Sequence, residues 1–386
     1  MAKLGAICEL VNGYAFKPTD WSDEGLPIIR IQNLNDNTAP FNYYNGEIDD
    51  RYYVKDGDLL FAWSGTPGTS FGAFFWKRGK GILNQHIFNV YPIDSINKEY
   101  FRYALNGNLD MIISKAHGGV GLKHITKKEL ENIDIPLPPL ETQRQIAANL
   151  DKVTHTIDLC NAILEKLDTL VKSRFVEMFG DIQKNDRNWL ECPLGEICEK
   201  IVRYPTFYGM DYINSGTRVI RIGNILNDGH MDTNDGNYVF VYDGVNDDFP
   251  ETVIEENDIV MAVRGDGSAA KRIGFITEKC LVGANISPNL IRIKADRNSV
   301  IPIFLFYYLT GEIGQKRLDA YVNKTAKKNI AAKDIVKVIS PVPPLELQEQ
   351  FAAIVEQTDK SKLAVKQVLE KAETLKKALM QEYFEN

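Results

Sequence analysis

Two stretches of the chain combine basic residues in a way that is typical of surfaces that contact phosphate groups. The first, residues 114–128, contains four lysines, two histidines and no acidic residue, and the second, residues 315–337, contains seven basic residues and two aspartates. The candidate phosphate-contacting lysines are Lys115, Lys123, Lys127 and Lys128 in the first stretch and Lys324, Lys327 and Lys328 in the second. A single basic stretch is usually a solvated surface, but two at corresponding positions of a repeated chain favour contacts to a nucleic-acid backbone.

Polar residues in predicted loops are candidates for reading the edges of DNA bases. Arg, Asn and Gln read bases through paired hydrogen bonds in the major groove, and small polar side chains read them singly. The candidates are Lys17, Ser64, Gln85 and His86 in the first half and Arg203, Tyr208, Arg264, Ser268 and Arg272 in the second. Four other residues recur at matching positions of the two halves, namely Arg30, Asn33, Arg221 and Asn224. Residues that two diverged halves keep in common are more suited to a common structural task, so we expect these four to hold the fold or a phosphate.

The sequence lacks the motifs of common catalytic sites. It has no Gly-x-x-x-x-Gly-Lys-Ser/Thr phosphate loop, no Asp/Glu-x-Lys nuclease triplet and no Asn/Asp-Pro-Pro-Tyr/Phe methyltransferase motif. Its five cysteines include no Cys-x-x-Cys pair, which disfavours a zinc ribbon or a disulfide framework. We therefore predict a binding protein with no catalytic residue, no metal site and no cofactor of its own. An enzyme whose carboxylates meet only in the fold is the rival interpretation.

The chain repeats itself. Residues 136–181 align without a gap to residues 341–386 at an offset of 205, and 17 of the 46 aligned residues are identical. The segments before them match more weakly, as in Leu4-Gly5-x-Ile7-Cys8-Glu9 and Leu194-Gly195-x-Ile197-Cys198-Glu199. The sequence therefore predicts two diverged globular segments, 1–135 and 182–340, each followed by a better preserved segment, 136–181 or 341–386.

The two preserved segments are predicted to be long helices. Each begins with Pro-x-Pro-Pro, which suits a first helical turn and no helix interior. Apolar residues then recur at spacings of four and three, the pattern of a coiled-coil seam. The seam residues are Leu140, Ile146, Leu150, Val153, Ile157, Leu164 and Leu167 in the first segment and Leu345, Phe351, Val355 and Leu369 in the second. A helix of about 40 residues, roughly 60 Å long, cannot bury such a stripe alone, so we expect the two to pair as an antiparallel coiled coil.

The globular segments contain short predicted strands separated by Gly, Asn, Asp and Pro, for example at 58–63 and 258–263. Single helices are predicted at 98–116 and 301–321. The predicted fold class is therefore mixed α+β, with two α/β units, two long paired helices and an internal pseudo-twofold repeat. The net charge of −7 does not exclude a local basic surface. No run of about 20 apolar residues occurs and the first residues do not read as a signal peptide, so we expect a cytoplasmic protein without a membrane partner.

These features together resemble the specificity (S) subunit of Type I restriction-modification enzymes, over the whole chain. The strongest motifs are the two Pro-Leu/Val-Pro-Pro-Leu-Glu-x-Gln-x-Gln segments at 136–145 and 341–350. Supporting motifs in the first half are Gly13-Tyr14-x-Phe16, Gly57-Asp58-Leu59-Leu60 and Asn84-Gln85-His86. The second half departs from the pattern, because residues 203–207 lack the Gly-x-x-Phe element and Asn285-Ile-Ser replaces Asn-Gln-His.

The resemblance implies that each globular segment is a target recognition domain that reads one half of a split, asymmetric sequence in double-stranded DNA. It implies that the paired helices set the spacing between the half-sites and dock two methyltransferase (M) subunits, which carry S-adenosylmethionine. It also implies that restriction (R) subunits, which use ATP and Mg²⁺, join the larger complex. Two alternatives stay open: the specificity subunit of a methylation-only or related defence complex, and a coiled-coil scaffold that binds no DNA.

Overall fold

The structure is a computed structural model, and it describes residues 1–65, 70–119, 122–203, 211–263, 272–323 and 329–384. The chain forms two compact units, one of Met1–Ile163 with Val365–Asn386 and one of Leu164–Ala364. Each unit contains one globular segment and parts of both long helices. This division cuts across the four linear segments proposed above, whose bounds stay a prediction.

The first unit is a mixed α+β structure. Its strands are β1 (Ala2–Lys3), β2 (Cys8–Asn12), β3 (Leu26–Ile29), β4 (Asn42–Tyr44), β5 (Tyr53–Val54), β6 (Leu59–Ala62), β7 (Ser64–Gly65), β8 (Gly72–Phe75), β9 (Gly81–Leu83), β10 (Ile87–Pro92), β11 (His117–Gly119), β12 (Leu122–His124) and β13 (Asp134–Ile135). Its helices are α1 (Leu4–Ile7), α2 (Ile31–Asn35), α3 (Lys98–Gly107), α4 (Leu109–Ser114), α5 (Lys127–Glu131) and the start of α6 (Leu140–Phe179). The strands form sheets in the orders β2-β10-β6-β8, β4-β3-β9-β5, β11-β12-β7 and β1-β13.

The second unit repeats much of this topology. Its strands are β14 (Leu190–Pro193), β15 (Cys198–Arg203), β16 (Thr217–Ile220), β17 (Val239–Val241), β18 (Ile259–Ala262), β19 (Ile273–Phe275), β20 (Asn285–Ile286), β21 (Leu290–Ala295) and β22 (Ile339–Val342). Its helices are α7 (Leu194–Ile197), α8 (Val245–Asp248), α9 (Pro302–Thr310), α10 (Glu312–Asp319), α11 (Ala332–Ile335) and the start of α12 (Leu345–Phe384). The antiparallel order β2-β10-β6-β8 recurs as β15-β21-β18-β19, and the parallel pair β3·β9 recurs as β16·β20. The predicted mixed fold and internal repeat are confirmed.

Helices form in both ranges where they were predicted, 98–116 and 301–321, but each range contains two helices instead of one. Asn108 ends the first helix, and its side-chain amide donates to the carbonyl of Ala104 at 2.7 Å, in place of a continued helical turn. Gly311 has an extended backbone (φ −69°, ψ 161°) between α9 and α10. The side-chain bond of Asn108 and the low helix propensity of Gly311 therefore outweigh the helical pattern at these two points.

The rod helices, α6 and α12, are each 40 residues long. In the first unit, Ile146 and Leu150 near the start of α6 belong to the same apolar core as Phe384 at the end of α12. In the second unit, Phe351 near the start of α12 packs on Phe175 and Phe179 at the end of α6, with ring centroids 5.3 and 5.5 Å apart. The helices therefore pair antiparallel, as predicted.

The predicted seam residues are the inward-facing residues of the rod helices. Those that are buried are Ile146, Leu150, Phe351 and Val355, and those that are half-buried are Leu140, Val153, Ile157, Leu164, Leu167, Leu345 and Leu369. Two polar residues also lie in the seam of α12. Thr358 is buried and donates to the carbonyl of Ile354 at 2.8 Å. The Lys362 ammonium lies 2.6 Å from the Asp168 carboxylate of α6.

Each rod helix is anchored to its own unit by a glutamine of the repeated proline motif. Gln143 and Gln348 are both buried. The Gln143 side chain accepts from the backbone N–H of Asn97 at 3.0 Å and donates to a carbonyl of the proline motif at 2.9 Å. Gln348 accepts from the backbone N–H of Ile301 at 2.8 Å and donates likewise at 2.7 Å. Asn97 and Ile301 are the N-caps of α3 and α9, so the same bonds fix the start of both rod helices.

Candidate nucleic-acid interface

The first basic stretch folds into a hairpin of β11 and β12 that continues onto β7. Ser64 lies opposite His124, and Gly65 lies opposite Lys123. The two hairpin histidines, His117 and His124, face each other with ring centroids 6.2 Å apart. The fold therefore brings the predicted base reader Ser64, which is largely buried, onto the same sheet as the predicted phosphate-contacting Lys123.

The sequence of the basic hairpin contains no acidic residue, but the fold places the carboxylate of Glu129 beside it. His117 Nε2 lies 2.6 Å from the Glu129 carboxylate. Hydrogen bonds from the Thr126 hydroxyl and backbone N–H, with a further one from His117, lower the pKa of Glu129 to about 2. Glu129 therefore stays ionised and offsets part of the positive charge of the hairpin.

The four lysines of this stretch differ in how their ammonium groups are used. Lys127 Nζ donates to the carbonyl of Leu10 at 2.8 Å and lies 3.7 Å from the Glu131 carboxylate. Lys123 Nζ donates to the carbonyl of Ile113 at 3.3 Å. Lys115 and Lys128 are exposed, and neither makes an ion pair with any residue that the structure describes. These last two are the best placed of the four to contact phosphates.

Gln85 and His86 lie beside the hairpin because Trp63 joins them to it. The Trp63 backbone N–H donates to the carbonyl of His86 at 3.2 Å, and the Trp63 carbonyl accepts from Ile125 at 3.1 Å. The rings of Trp63 and His86 are 5.4 Å apart. Partial burial lowers the pKa of His86, so its neutral ring offers one donor and one acceptor at neutral pH. The Gln85 Oε1 atom is buried and accepts no hydrogen bond from the described part of the chain.

The remaining candidate of the first unit, Lys17, has an exposed side chain. It precedes the turn Pro18–Asp20, and its backbone N–H donates to the Asp20 carboxylate at 2.7 Å. The hydrogen bonds of this turn do not connect Lys17 to the surface around Ser64 and His86.

In the second unit, most of the predicted site residues lie outside the described residues. These are Tyr208, Arg264, Ser268, Lys324, Lys327 and Lys328. Arg203 ends β15, and its Nε donates to the carbonyl of Pro288 at 3.0 Å. The Arg272 guanidinium donates to the carbonyl of Ile225 at 3.1 Å and to the Asn227 side chain at 3.0 Å. Arg272 therefore holds a loop of its own unit.

The expectation that the shared asparagines hold the fold is confirmed. Asn33 and Asn224 are both buried, and each side-chain oxygen accepts from the backbone N–H of the arginine three residues earlier, at 3.0 and 2.8 Å. Each side-chain amide donates to carbonyls at the end of the following loop. Arg30 lies over the Trp21 ring at 5.4 Å, and Arg221 donates to the carbonyl of Asn237 at 3.1 Å.

Sequence reasoning missed Trp63 and Asn12. The Trp63 indole N–H donates to Asn12 Oδ1 at 3.1 Å, so these side chains join two strand ends of the same surface. Residues 51 positions apart give no local signal of such a bond. Among the described residues, no group of three or more His, Cys, Asp or Glu could hold a metal ion, and no helix could span a membrane.

Two diverged α+β units, a basic hairpin beside polar loop residues, and anchored rod helices are the features of one class of protein, a two-repeat DNA-recognition subunit. A family model described as the Type I restriction modification DNA specificity domain matches residues 1–169 and 186–374. The chain therefore belongs to this family, and its function is to supply the DNA sequence specificity of a Type I restriction-modification system.

Curated relatives and solved structures agree with this assignment. The chain is 28% identical to the Type I restriction enzyme EcoBI specificity subunit of Escherichia coli, over 92% of this chain and 78% of the relative. It is 25% identical to the MjaVIII specificity subunit of Methanocaldococcus jannaschii, over 98% and 90%. The crystal structure of the S subunit from M. genitalium covers 100% of this chain and 95% of its own, with a TM-score of 0.61 and 16% identity. A chain from a structural study of complex assembly in the type I R-M system covers 100% and 97%, with a TM-score of 0.57 and 18% identity.

Proposed function

We propose that each unit reads one half of a bipartite DNA target and that the rod helices set the distance between the half-sites. The observation that carries this proposal is the repeated anchor. Gln143 and Gln348 make the same bonds in the two units, so each reading unit is fixed to a helix of defined length. A rigid spacer between two readers fixes half-site separation geometrically. The units share frame residues but few surface residues, which supports an asymmetric target.

Phosphate contacts in the first unit are assigned to Lys115 and Lys128, and base contacts to Ser64, Gln85 and His86. Phosphate contacts position a protein on the duplex, and only base contacts carry sequence information. Substitutions at the two lysines are therefore expected to weaken binding to all sequences, with a smaller salt slope. Substitutions at the other three are expected to relax one half of the target and leave the other half unchanged.

Residues that the two rod helices share on their exposed faces support docking of two copies of one partner. Each set lies in a different unit, and each contains an exposed leucine, Leu170 or Leu375, at 42% and 49% exposure. The shared exposed residues are Glu165, Lys166, Thr169, Leu170 and Lys172 in α6 and Glu370, Lys371, Thr374, Leu375 and Lys377 in α12. Exposed residues contribute little to the apolar core, so their identity across a diverged repeat favours two equivalent sites for two methyltransferase subunits.

We propose that the chemistry enters the complex through these partners. S-adenosylmethionine belongs to the methyltransferase subunits, and ATP and Mg²⁺ belong to restriction subunits that join through them. This chain then contributes DNA reading and assembly, in the cytoplasm where the DNA lies. A methylation-only complex would use this chain in the same way without restriction subunits.

The test is to express the chain with its cognate methyltransferase in a host without adenine methylation and to map modified adenines by single-molecule sequencing. We expect a split motif with two defined half-sites and a fixed gap. Deletion of four residues from one rod helix is expected to abolish methylation or to change the gap. A soluble, associated pair that modifies no motif would contradict the proposal and favour the scaffold alternative, and turnover by the purified chain alone would favour an enzyme.

A further inference from the structure

The first unit contains an open groove of about 590 Å³ between its globular part and the rod helix α6. One wall is the strand β8 and the residues that follow it. The other wall is formed by α3 and by one face of α6. The residues that matter below are Phe75, Arg102, Asp151, His155 and Asp158, all of which line the groove. None of them belongs to the surface proposed to read DNA.

The groove contains one backbone N–H at a strand edge, that of Phe75, for which the described residues provide no acceptor. β8 is the outer strand of the sheet β2-β10-β6-β8 and pairs only with β6. The N–H and C=O of Ala73 point away from β6, because both bond to the Asn106 side chain, at 2.8 and 3.0 Å. Antiparallel pairing alternates along a strand, so the N–H of Phe75 also points away from β6. Among the described residues this N–H has no acceptor.

The side chain that faces this edge is an arginine with unused hydrogen-bonding capacity. Arg102 makes one long ion pair, 3.4 Å to the Asp151 carboxylate, and its guanidinium lies over the rings of Tyr103 and Phe75 at 4.2 and 5.4 Å. Its Nε atom is buried and donates to no atom of the described residues. A guanidinium held between rings with a buried unbonded donor is suited to a carboxylate or carbonyl that enters from outside.

The second unit shows what fills the corresponding place there. Strand register makes Phe275 the counterpart of Phe75, since they pair with Ile259 and Leu59 in equivalent sheets. The N–H of Phe275 donates to the carbonyl of Gly229 at 3.0 Å. A side-chain carbon built on Gly229 would lie 2.5 Å from the ring of Phe306, so this loop is packed directly against α9.

The loop that contains Gly229, between Asn224 and Asn237, has no counterpart of equal length in the first unit. Phe306 corresponds to Arg102, because each is the fifth residue after an N-cap that donates to the anchoring glutamine. Asn224 bonds across a loop to a carbonyl 13 residues away, whereas Asn33 bonds to carbonyls six and seven residues away. The extra residues are those that cover β19. The first unit lacks them and has an arginine where the second has a phenylalanine.

We propose that the groove of the first unit is a docking site for a loop of the methyltransferase subunit that offers a backbone carbonyl to Phe75 and a carboxylate to Arg102. This inference rests on the proposed assembly with that subunit. In this arrangement, a loop of the methyltransferase supplies the carbonyl acceptor for Phe75. In the second unit, Gly229 of the same chain supplies the corresponding carbonyl to Phe275. Binding at a free strand edge by main-chain hydrogen bonds is a known mode of peptide recognition.

Charge and continuity favour a protein loop in this groove. Its lining combines the acidic residues Glu99, Asp151 and Asp158 with the basic residues Lys77, Arg78 and Arg102. This mixed charge suits the varied side chains of a protein loop better than the uniformly negative backbone of a nucleic acid. The groove is also next to the shared exposed face of α12 in the same unit, because Lys376 interacts electrostatically with both Arg102 and Asp158. Lys376 lies between Leu375 and Lys377, two residues of the shared exposed face of α12, where we propose that the methyltransferase docks. One partner molecule can therefore cover the face and fill the groove.

The test compares Arg102→Gln with a matched control, Arg144→Gln, in the full chain. Arg144 is an exposed arginine of α6 that pairs only with Glu141, at 3.5 Å, among the described residues. Affinity of each variant for the purified methyltransferase subunit is measured by calorimetry, and DNA binding by the chain is measured in parallel. We expect Arg102→Gln to weaken methyltransferase binding at least tenfold and Arg144→Gln to change it less than twofold, with DNA binding unchanged in both.

A second variant provides a measurement that does not depend on whether Arg102→Gln folds. It carries a benzoylphenylalanine photo-crosslinker at His155, which is exposed and lines the groove. We expect illumination of the complex to join position 155 to one acidic loop of the methyltransferase, as identified by mass spectrometry. Unchanged affinity of Arg102→Gln together with no crosslink to that subunit would overturn the inference. If the wild-type chain does not bind the methyltransferase at all, the proposed function fails instead, before any variant is compared.

Discussion

At the residue scale, the two units use the same acidic turn in different ways. Asp58 and Asp258 each accept from the backbone N–H three residues earlier, at 2.8 and 2.7 Å. Asp258 also pairs at 2.7 Å with the buried Arg292, whose counterpart in the first unit is Asn89. The turn is therefore common to both repeats, and the buried ion pair is present in the second unit but not in the first.

Asp258→Asn is expected to destabilise the second unit by about 1–3 kcal/mol, because it removes one of the two carboxylates, Asp258 and Glu255, that pair with the buried Arg292 at 2.7 Å. Asp58→Asn is the matched control, and it is expected to cost about 1 kcal/mol or less because the amide oxygen still accepts the turn bond. Urea unfolding of the second unit can be followed through Trp189, its single tryptophan. Equal losses for the two variants would contradict a distinct role for the buried pair.

Glu129 provides a pH-dependent prediction. Its pKa of about 2 in the folded chain lies below the ordinary value of 4.5, mainly because of the Thr126 hydroxyl. A lowered carboxyl pKa contributes stability that is present above pH 4.5 and is lost as the pH falls towards 2. Thr126→Ala is expected to raise the pKa of Glu129 and to remove this contribution, and Thr126→Ser is expected to retain both. NMR titration of the Glu129 side-chain carbon measures the shift, and identical titrations of the two variants would exclude the hydroxyl as the cause.

At the element scale, the rod helices are positioned by one glutamine each. Gln348→Ala removes an acceptor for the Ile301 N–H and a donor to the proline motif, and the expected cost is about 1–3 kcal/mol in the second unit. Gln350→Ala is the control, since Gln350 is also shared by the repeat but is exposed, and its expected cost is under about 0.5 kcal/mol. Unfolding followed through Trp189 measures both. A large decrease in the free energy of unfolding for Gln350→Ala would mean that identity between the repeats, and not burial of the side chain, indicates which glutamine anchors the helix.

The elements that sequence predicts well are those whose signals are local. The proline motif and the seam period predict both rod helices, and α6 and α12 begin at Leu140 and Leu345, directly after the prolines. The hairpin that places Lys123 opposite Gly65 depends on a pairing between strands 58 residues apart, which no period reports. The break at Asn108 depends on one side chain that bonds to its own helix. The residues of the candidate surface could therefore be proposed from sequence, while their assembly around Trp63 could not, and their role in reading DNA stays a prediction.

At the scale of the whole molecule, the repeat distinguishes residues that hold the fold from the candidate base-contacting residues. Four residues that both units keep, Asn33 with Asn224 and Gln143 with Gln348, are buried and bonded within the fold. The candidate readers Gln85 and His86 have no identical counterparts in the second unit. A frame that tolerates different readers permits one half of the target to change while the spacing is kept.

The spacing itself yields the last prediction. Insertion of seven residues into both rod helices, within 155–165 and at the matching positions 360–370, preserves the seven-residue period of the seam. It lengthens each helix by about 10 Å, which corresponds to about three base pairs of DNA. We expect the methylated motif to keep both half-sites and to gain a gap about three base pairs longer, as mapped by sequencing of modified adenines.

Insertion into α6 alone is the control for this experiment. It leaves about two turns of α6 without a seam partner. It also moves the later apolar residues past their contacts in α12, because the helices pair antiparallel within each unit. The anchors at Gln143 and Gln348 would then compete with the seam, and we expect methylation of every motif to be lost while each unit still folds. An unchanged gap after the double insertion would show that something other than helix length sets the half-site distance, since the anchors transmit any change in the rod to both readers.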